Sequence, residues 1–302
     1  MTITAIVVTY NPNLNVLREV IESLSCQVDN VTIVDNGSRI KFGEWSDGMG
    51  INLSMIALDK NMGIGFAQNV GIKDAQNRGD EFVLLMDQDS IPESHMCDEL
   101  LKTYYDLTFL RHEKVSAVGP TTKDSVNGSF HHHSRLTLFG SQRNPCKKDK
   151  HAVISDNLIA SGSLINLSLL QKIGLMDEGL FIDRVDTEWL LRARSMGYQS
   201  WGCCRAFMSH SLGEHRMRIW LFRWRNIAFH KPFRYYYIYR NSSLLIKRKY
   251  IPAFWKVDET LRLLKISAFM LIFHHDRFCV FKMMARGIAD GLRNNIGSMP
   301  HE

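Results

Sequence analysis

Residues 82–90 read Phe82-Val83-Leu84-Leu85-Met86-Asp87-Gln88-Asp89-Ser90. An unbroken apolar run gives way abruptly to two carboxylates one residue apart. A run of this length bounded by polar residues is the pattern of a strand buried on both faces. Asp87 and Asp89 then stand at its C-terminal tip, the edge at which open α/β sheets bind ligands. Two carboxylates there repel unless a cation lies between them or one keeps its proton. Hard oxygen donors of this kind suit Mg²⁺ or Mn²⁺, ions that commonly tie a protein to substrate phosphates. The competing reading is a helix N-cap, with Asp89 or Ser90 preceding a helix signalled by Pro92-Glu93.

On either side of this stretch, strand and helix signals alternate. Thr4 to Val8 is a β-branched apolar strand that stops at Thr9-Tyr10-Asn11-Pro12. Leu14, Leu17, Val20, Ile21 and Leu24 recur at helical spacing. Val31 to Val34 and Ile51 to Leu58 read as strands, the first ending in Asp35-Asn36-Gly37-Ser38. Asn61 to Gly71 is a Gly-rich loop running into a helix through Arg78, and Gly63 and Gly65 allow close backbone approach. With Gln68 in the third glycine's place, a nicotinamide-binding reading is weak. Further strands are expected over Val115–Gly119 and Trp201–Met208, and a loop into a helix over 177–197. The alternation predicts a doubly wound, mainly parallel sheet. Its polar clusters, Thr9-Tyr10-Asn11, Asp35, Asp87/Asp89 and His210, all fall at strand C-termini and so share one rim.

Hydrophobic content of 45% against 23% charged residues is that of a soluble globular chain. The net charge of +6 is unevenly spread. Met1–Cys204 carries nineteen Lys and Arg against twenty-five Asp and Glu, whereas Arg205–Glu302 carries eighteen against six. The last third therefore faces something anionic. In it, Arg216, Arg218, Arg223 and Arg225 interleave with Trp220, Phe222 and Trp224, followed by Arg234-Tyr235-Tyr236-Tyr237 and Lys247-Arg248-Lys249. This predicts helices lying in a membrane interface, the alternative being an amphipathic helix covering the sheet. The longest late apolar run, Ile266 to Phe273, is far short of the roughly 20 residues a membrane span needs. With no secretory leader at Met1 either, the chain is expected to be cytoplasmic and peripheral on the inner membrane face. The six cysteines show no CxxC pair or zinc spacing and are expected as free thiols. His131-His132-His133 is read as substrate contact or plain surface rather than a metal site. No nucleic-acid module is recognisable. The domain reading is 1–212 for the α/β domain that carries the polar rim and 213–302 for a helical basic extension.

Together, Val7-Val8-Thr9-Tyr10-Asn11, Val34-Asp35-Asn36-Gly37-Ser38, the Asn61-x-Gly63-x-Gly65-x-Ala67-x-Asn69-x-Gly71 run and Asp87-Gln88-Asp89 resemble the inverting family-2 glycosyltransferases of the GT-A fold. The resemblance covers roughly residues 3–212. Met86 to Ser90, Phe181-Ile182-Asp183-x-x-Asp186-x-Glu188-Trp189 and the tail from Arg234 to Asn241 are most similar to bacterial rhamnosyltransferases that use dTDP-L-rhamnose in O-antigen or related synthesis. The resemblance implies a nucleotide-sugar donor, a polyprenyl-diphosphate-linked glycan acceptor, an anionic membrane surface as partner, and Mg²⁺ or Mn²⁺. It implies nucleotide binding by Thr9, Tyr10, Asn11, Asp35, Asn61, Gly63, Asn69 and Asp87, and metal binding by Asp87, Asp89 and His210, the histidine standing near the metal and diphosphate. Ser161-Gly162-Ser163 matches the loop near donor sugar and acceptor, and Asp186 the catalytic base. The family places Glu before that Asp, whereas Val185 stands here. Arg192 sets the register, and Asp183 and Glu188 compete for the base role. Other readings are a nucleotidyltransferase, disfavoured because Thr9–Asn13 lacks a Gly-rich basic loop, and a non-catalytic binding protein, disfavoured by the intact acids.

Overall fold

In the computed structural model of the chain, the described residues are 1–40, 42, 45, 52–124, 128–138, 140–147, 150–210, 216–220 and 224–300, with backbone alone for 210, 216–220 and 224–228. The strands are β1 (Ile3–Thr9), β2 (Asn30–Asp35), β3 (Asn52–Ala57), β4 (Phe82–Asp87), β5 (Ser90–Pro92), β6 (Val115–Asp124), β7 (His133–Thr137), β8 (Gly140–Asn144), β9 (Ala152–Ile154), β10 (Ser163–Asn166), β11 (Gln199–His210), β12 (Arg216–Trp220) and β13 (Trp224–Ala228). The helices are α1 (Leu14–Ser25), α2 (Ile64–Arg78), α3 (Met96–Tyr105), α4 (Leu167–Ile173), α5 (Val185–Ser195), α6 (Pro232–Lys247), α7 (Ala253–Phe273) and α8 (Arg277–Leu292).

Among the described residues a nine-stranded sheet runs β3-β2-β1-β4-β10-β6-β11-β5, with β9 also on β11. β1, β2, β3 and β4 are parallel, β10 is antiparallel to β4 and β6, and β11 is parallel to β6. All seven residues of β1 are buried, as its unbroken β-branched and apolar run requires. Alternate side chains serve two cores. Ile6, Val8, Val83 and Leu85 face α2, α4 and α5, while Ala5, Val7, Leu84 and Met86 face α1 and α3. Helices on both faces of a mainly parallel sheet bear out the expected doubly wound architecture. The register pairs Thr9 with Asp35 and Val8 with Asp87, so the strand ends that carry these candidate residues stand side by side.

Three expectations change. Arg216–Trp220 and Trp224–Ala228 pair as antiparallel strands, β12 and β13, rather than forming an interfacial helix. The tyrosines of α6 are buried, not turned to a membrane. Tyr236 donates to Asp290 at 2.8 Å and Tyr239 to the Leu263 carbonyl at 2.8 Å. Mixed aromatic and basic composition is common to an interfacial helix and to a buried one whose polar tips find partners. Leu244, Leu245 and Trp255 of α6 and α7 join the core beneath α5. At Gly287 and Gly291 of α8, a Cβ would fall 2.4 and 2.6 Å from backbone oxygens of Tyr236 and Arg240, so these glycines let α8 lie close against α6. Finally, Cys146 and Cys204 form a disulfide, while Cys26, Cys97, Cys203 and Cys279 are free. Strand alternation turns Cys203 into the core and Cys204 outward. β9, pairing with β11, brings residue 146 alongside, a juxtaposition across 58 residues that local spacing cannot show.

Candidate active site

At the end of β2, Asp35 is 5% exposed. Its Oδ1 accepts from Thr9 Oγ1 at 3.0 Å and from the Ser38 hydroxyl, and its Oδ2 accepts the Ser38 N–H at 3.1 Å. Asn11, in left-handed backbone at φ 47°, donates its N–H to Ser38 Oγ at 2.7 Å and accepts from the Arg39 N–H at 2.9 Å. The exposed Tyr10 is tied through its N–H to Gln88 Oε1 at 2.8 Å. Thr9, Tyr10, Asn11 and Asp35 thus form one connected corner beside the Asp87 tip. Neither Asp89 nor Ser90 caps a helix, because β5 intervenes and α3 begins at Met96.

Asn61, Gly63 and Asn69 are turned instead toward the protein's own chain. Asn61 Oδ1 accepts from Asn36 Nδ2 at 3.1 Å and the Gly63 N–H at 3.0 Å. Gly63 has φ 91°, a Cβ there would sit 2.7 Å from the Phe181 carbonyl, and the next N–H, of Ile64, donates to that carbonyl at 2.7 Å. Asn69 is buried and spans the Met176 backbone, donating to its carbonyl and accepting its N–H, both at 2.9 Å, and also donates to Glu178 at 2.8 Å. The close approach that the glycines allow is therefore to residues 176–181, the approach to α5.

That approach carries the acids. Phe181, Asp183 and Arg184 all have positive φ, at 63°, 64° and 67°. Such backbone persists in non-glycine residues only when the surroundings enforce it. α6 supplies the enforcement: Asn241 Nδ2 lies 2.9, 2.8 and 2.8 Å from the carbonyls of Leu180, Ile182 and Asp183, and the fully buried Arg240 reaches the Leu180 carbonyl at 2.9 Å. Arg184 pairs with Glu259 at 2.9 Å.

The three candidate bases separate cleanly. Glu188, 1% exposed, is held by Arg192 at 2.9 Å, by Arg248 at 3.0 Å and by the Tyr250 hydroxyl. Asp183 is bridged by Arg234, from the first turn of α6, at 3.1 and 3.3 Å. Among the described residues, Asp186 accepts from the adjacent Thr187 N–H at 2.6 Å and its hydroxyl at 3.3 Å and from no arginine. Burial pushes the Asp186 carboxyl above the usual range, against the pull of Thr187 and Arg184. Burial and then the charges of Asp89 and Asp186 push Asp87 up to about 7, with Arg234 opposing. Asp87, Asp89, Asp186 and Arg234 thus share one electrostatic site. Among the described residues Arg184 also acts on Asp186, and the hard oxygen donors of Asp87 and Asp89 fit a divalent cation. Among the described residues no three His, Cys, Asp or Glu converge to chelate an ion unaided. The His210 backbone pairs with Ser90, and its side chain is outside the described residues.

Ser161 closes the site from β10's side, its Oγ accepting the Asp87 N–H at 3.0 Å. A cleft of about 250 Å³ opens there, lined by Pro120, Thr122, His131, His132, Asn157 and Ser161. Across the histidines lies a second, of about 380 Å³, with Lys147, Lys150 and Arg205. Of the triple histidine, His131 and His132 are exposed to these clefts, while His133 is buried between Thr121 Oγ1 at 3.1 Å and Ser155 Oγ at 3.2 Å. The residue that sequence reasoning quoted without giving it a role is Arg234. Its only signal was membership of the Arg234–Asn241 run.

Residues 4–165 match the family described as Glycosyl transferase family 2, and the chain belongs to that family. It is 28% identical over 301 residues to the dTDP-rhamnosyl transferase RfbF of Shigella flexneri, covering 98% of this chain and 97% of that one. In fold it is similar to the crystal structure of GalNAc-T7 with UDP, GalNAc and Mn²⁺ (TM-score 0.60, 12% identity), spanning 93% of this chain and 57% of that one. It is likewise similar to Staphylococcus aureus TarS in complex with UDP-GlcNAc (TM-score 0.57, 17% identity; 98% and 82%). These are GT-A folds, as the sequence led one to expect.

Proposed function

We propose that this chain transfers L-rhamnose, with inversion, from dTDP-L-rhamnose to a hydroxyl of a polyprenyl-diphosphate-linked glycan in O-antigen or related surface-polysaccharide synthesis. The donor follows the near full-length similarity to a dTDP-rhamnosyl transferase. The chemistry is supported by geometry at the β4 tip: Asp186 shares the lining of a small cavity with Leu85 of β4, and its charge reaches Asp87 two residues further along that strand.

In this reading the Thr9–Asp35–Ser38 corner takes the nucleoside, the Asp35 carboxylate accepting the N3–H of thymine. Asp87 and Asp89 would hold Mg²⁺ or Mn²⁺, which would supply Lewis-acid charge at the diphosphate. Asp186, hydrogen-bonded to no arginine among the described residues, removes the acceptor hydroxyl's proton as that oxygen attacks the anomeric carbon opposite the leaving group. Its raised affinity for a proton suits a base, a role worth typically about 10²–10⁴-fold. Arg234 stabilises charge developing on the departing diphosphate. The histidine-lined cleft beside Ser161 receives the acceptor sugar, and the Lys147/Lys150/Arg205 cleft its anionic carrier.

The test is a panel of nucleotide sugars with Mg²⁺ or Mn²⁺ and a lipid-diphosphate-linked glycan acceptor, scored by nucleoside-diphosphate release. dTDP-L-rhamnose should be consumed fastest, and Asp186→Asn should lose at least about 100-fold in kcat while dTDP still binds. Preference for a UDP-sugar would overturn the donor, and undiminished turnover in the variant would remove Asp186 from the base role.

A further inference from the structure

We propose that the α7–α8 hairpin docks this protein on the surface of an anionic lipid bilayer. The two helices bury one face each. α7 turns Trp255, Glu259, Leu263 and Met270 inward, and α8 turns Val280, Met284, Gly287 and Gly291 inward, where the aromatic side chains of α6 meet them. A surface helix normally presents polar residues on its other side. These do not. Val257, Leu261, Leu264, Ala268 and Ile272 follow one another at spacings of four, three, four and four, all exposed. On α8, Phe278, Phe281, Ala285, Ile288 and Leu292 do the same at three, four, three and four. Each is a continuous helical stripe. The stripes are apolar where a water-facing helix is not, with Leu264 61%, Ile272 67% and Phe278 79% exposed.

The apolar side chains crowd the end of the hairpin, where Leu271, Ile272 and Phe273 close α7 and Phe278 opens α8. Exposed cations interrupt them: Lys265 follows Leu264, Lys282 follows Phe281, and the Arg277 guanidinium lies 5.5 Å from the Phe278 ring. Long basic side chains with apolar stems beside a wedge of Phe, Ile and Leu are the chemistry of a helix lying at a lipid headgroup boundary. The charge fixes the partner. Residues 253–292 carry six Lys and Arg against four Asp and Glu, and their exposed charges are Lys265, Arg277 and Lys282 against Asp276, a basic excess attracted to anionic lipid and repelled by a second copy of itself. Among the described residues no helix is long and apolar enough to cross a membrane, so the hairpin lies on the bilayer. This goes beyond the transfer reaction and is read without donor or acceptor, so either proposal can fail alone.

The test is cosedimentation of the full chain with vesicles of phosphatidylcholine alone or of equimolar phosphatidylcholine and phosphatidylglycerol. Binding should favour the anionic vesicles and weaken with salt. Leu264→Ser/Ile272→Ser/Phe278→Ser should reduce it at least about 10-fold, and Lys265→Glu/Lys282→Glu should abolish the anionic preference, each basic residue contributing about 5-fold. Unchanged dTDP titration in both variants shows that they fold. Equal vesicle binding by the triple variant would overturn the proposal, as would a chain that ignores vesicles and sediments as a dimer.

Discussion

Asp183, Asp186 and Glu188 lie within two turns of chain, yet their neighbours give them different chemistry. Among the described residues, Glu188 is held by two arginines and a tyrosine, Asp183 by one arginine, and Asp186 by its own neighbour Thr187. Residue type and spacing made all three candidates, and Arg192 fixed the register. What separates them is which arginine reaches which carboxylate, and Arg234 and Arg248 come from another part of the chain. His133 shows the same limit, since three consecutive histidines gave no sign that the third is buried. Burial, and to a lesser degree His132, push its pKa from 6.5 down to about 4. Above about pH 6.5 both folded and unfolded chains carry it neutral, and stability is unaffected. As pH falls, the unfolded chain takes up a proton that the folded one refuses, so stability is lost progressively and the loss is complete below about pH 4. A shift of this size corresponds to an order of 3 kcal/mol. Urea midpoints taken at neutral and mildly acidic pH should fall more steeply for the natural chain than for His133→Gln. Parallel slopes would show that His133 does not resist the proton.

At the scale of elements, the strands and helices of the first two hundred residues were legible because their periodicities are strong and their ends carry turn chemistry. Asn13 illustrates this, accepting the Asn15 N–H at 3.0 Å to start α1. The Gly-rich run was legible as a site of close approach but not in what approaches. Its contacts at Phe181, Met176 and Glu178 lie more than a hundred residues downstream, beyond any local pattern. β12 and β13 were misread because alternating basic and aromatic residues suit paired strands as well as a helix. α6 was recognised as helix, but its role as a brace for the 180–183 turn depends on Arg240 and Asn241 being buried. A nearly continuous mixture of Tyr, Arg and Asn conceals which side faces in. Asn241 has two amide protons facing three carbonyls. Asn241→Ala leaves those buried acceptors unmet, at a cost of about 1–3 kcal/mol, and frees the strained turn that aims Asp186. We expect kcat to drop between about 10- and 100-fold through misplacement of the base, with the donor KM within a few-fold of the natural value. A matching rise in donor KM would mean that the turn serves nucleotide binding instead.

Across the whole molecule, the charge asymmetry visible in the sequence is real, but it does not mark an independent tail. α6 and α7 complete the core that β1, β4 and α5 begin, through Leu244, Leu245 and Trp255. Glu259 of α7 answers Arg184, Arg248 answers both Asp177 and Glu188, and Gly297 donates its N–H to the Gly179 carbonyl at 2.7 Å. The basic excess is thus divided between arginines that fasten the active-site turn from behind and lysines that face outward on α7 and α8. A chain ending at residue 212 would retain the side chains assigned to the nucleoside, the metal and the base, but would lose Arg234. It would also strip the apolar cover from Trp189 and Leu190 and leave Glu188 without Arg248 or Tyr250, and a buried ion pair that loses a partner typically costs about 3–5 kcal/mol. That loss alone rivals the stability of an ordinary domain, about 5–15 kcal/mol. The full chain should therefore unfold in urea with coincident fluorescence and circular-dichroism transitions, while the 1–212 fragment should show no cooperative transition and no dTDP binding. A fragment that melts cooperatively and titrates with dTDP would instead make the last ninety residues an appendage, and would leave the conformation of the 180–184 turn to be explained by residues 1–212 alone.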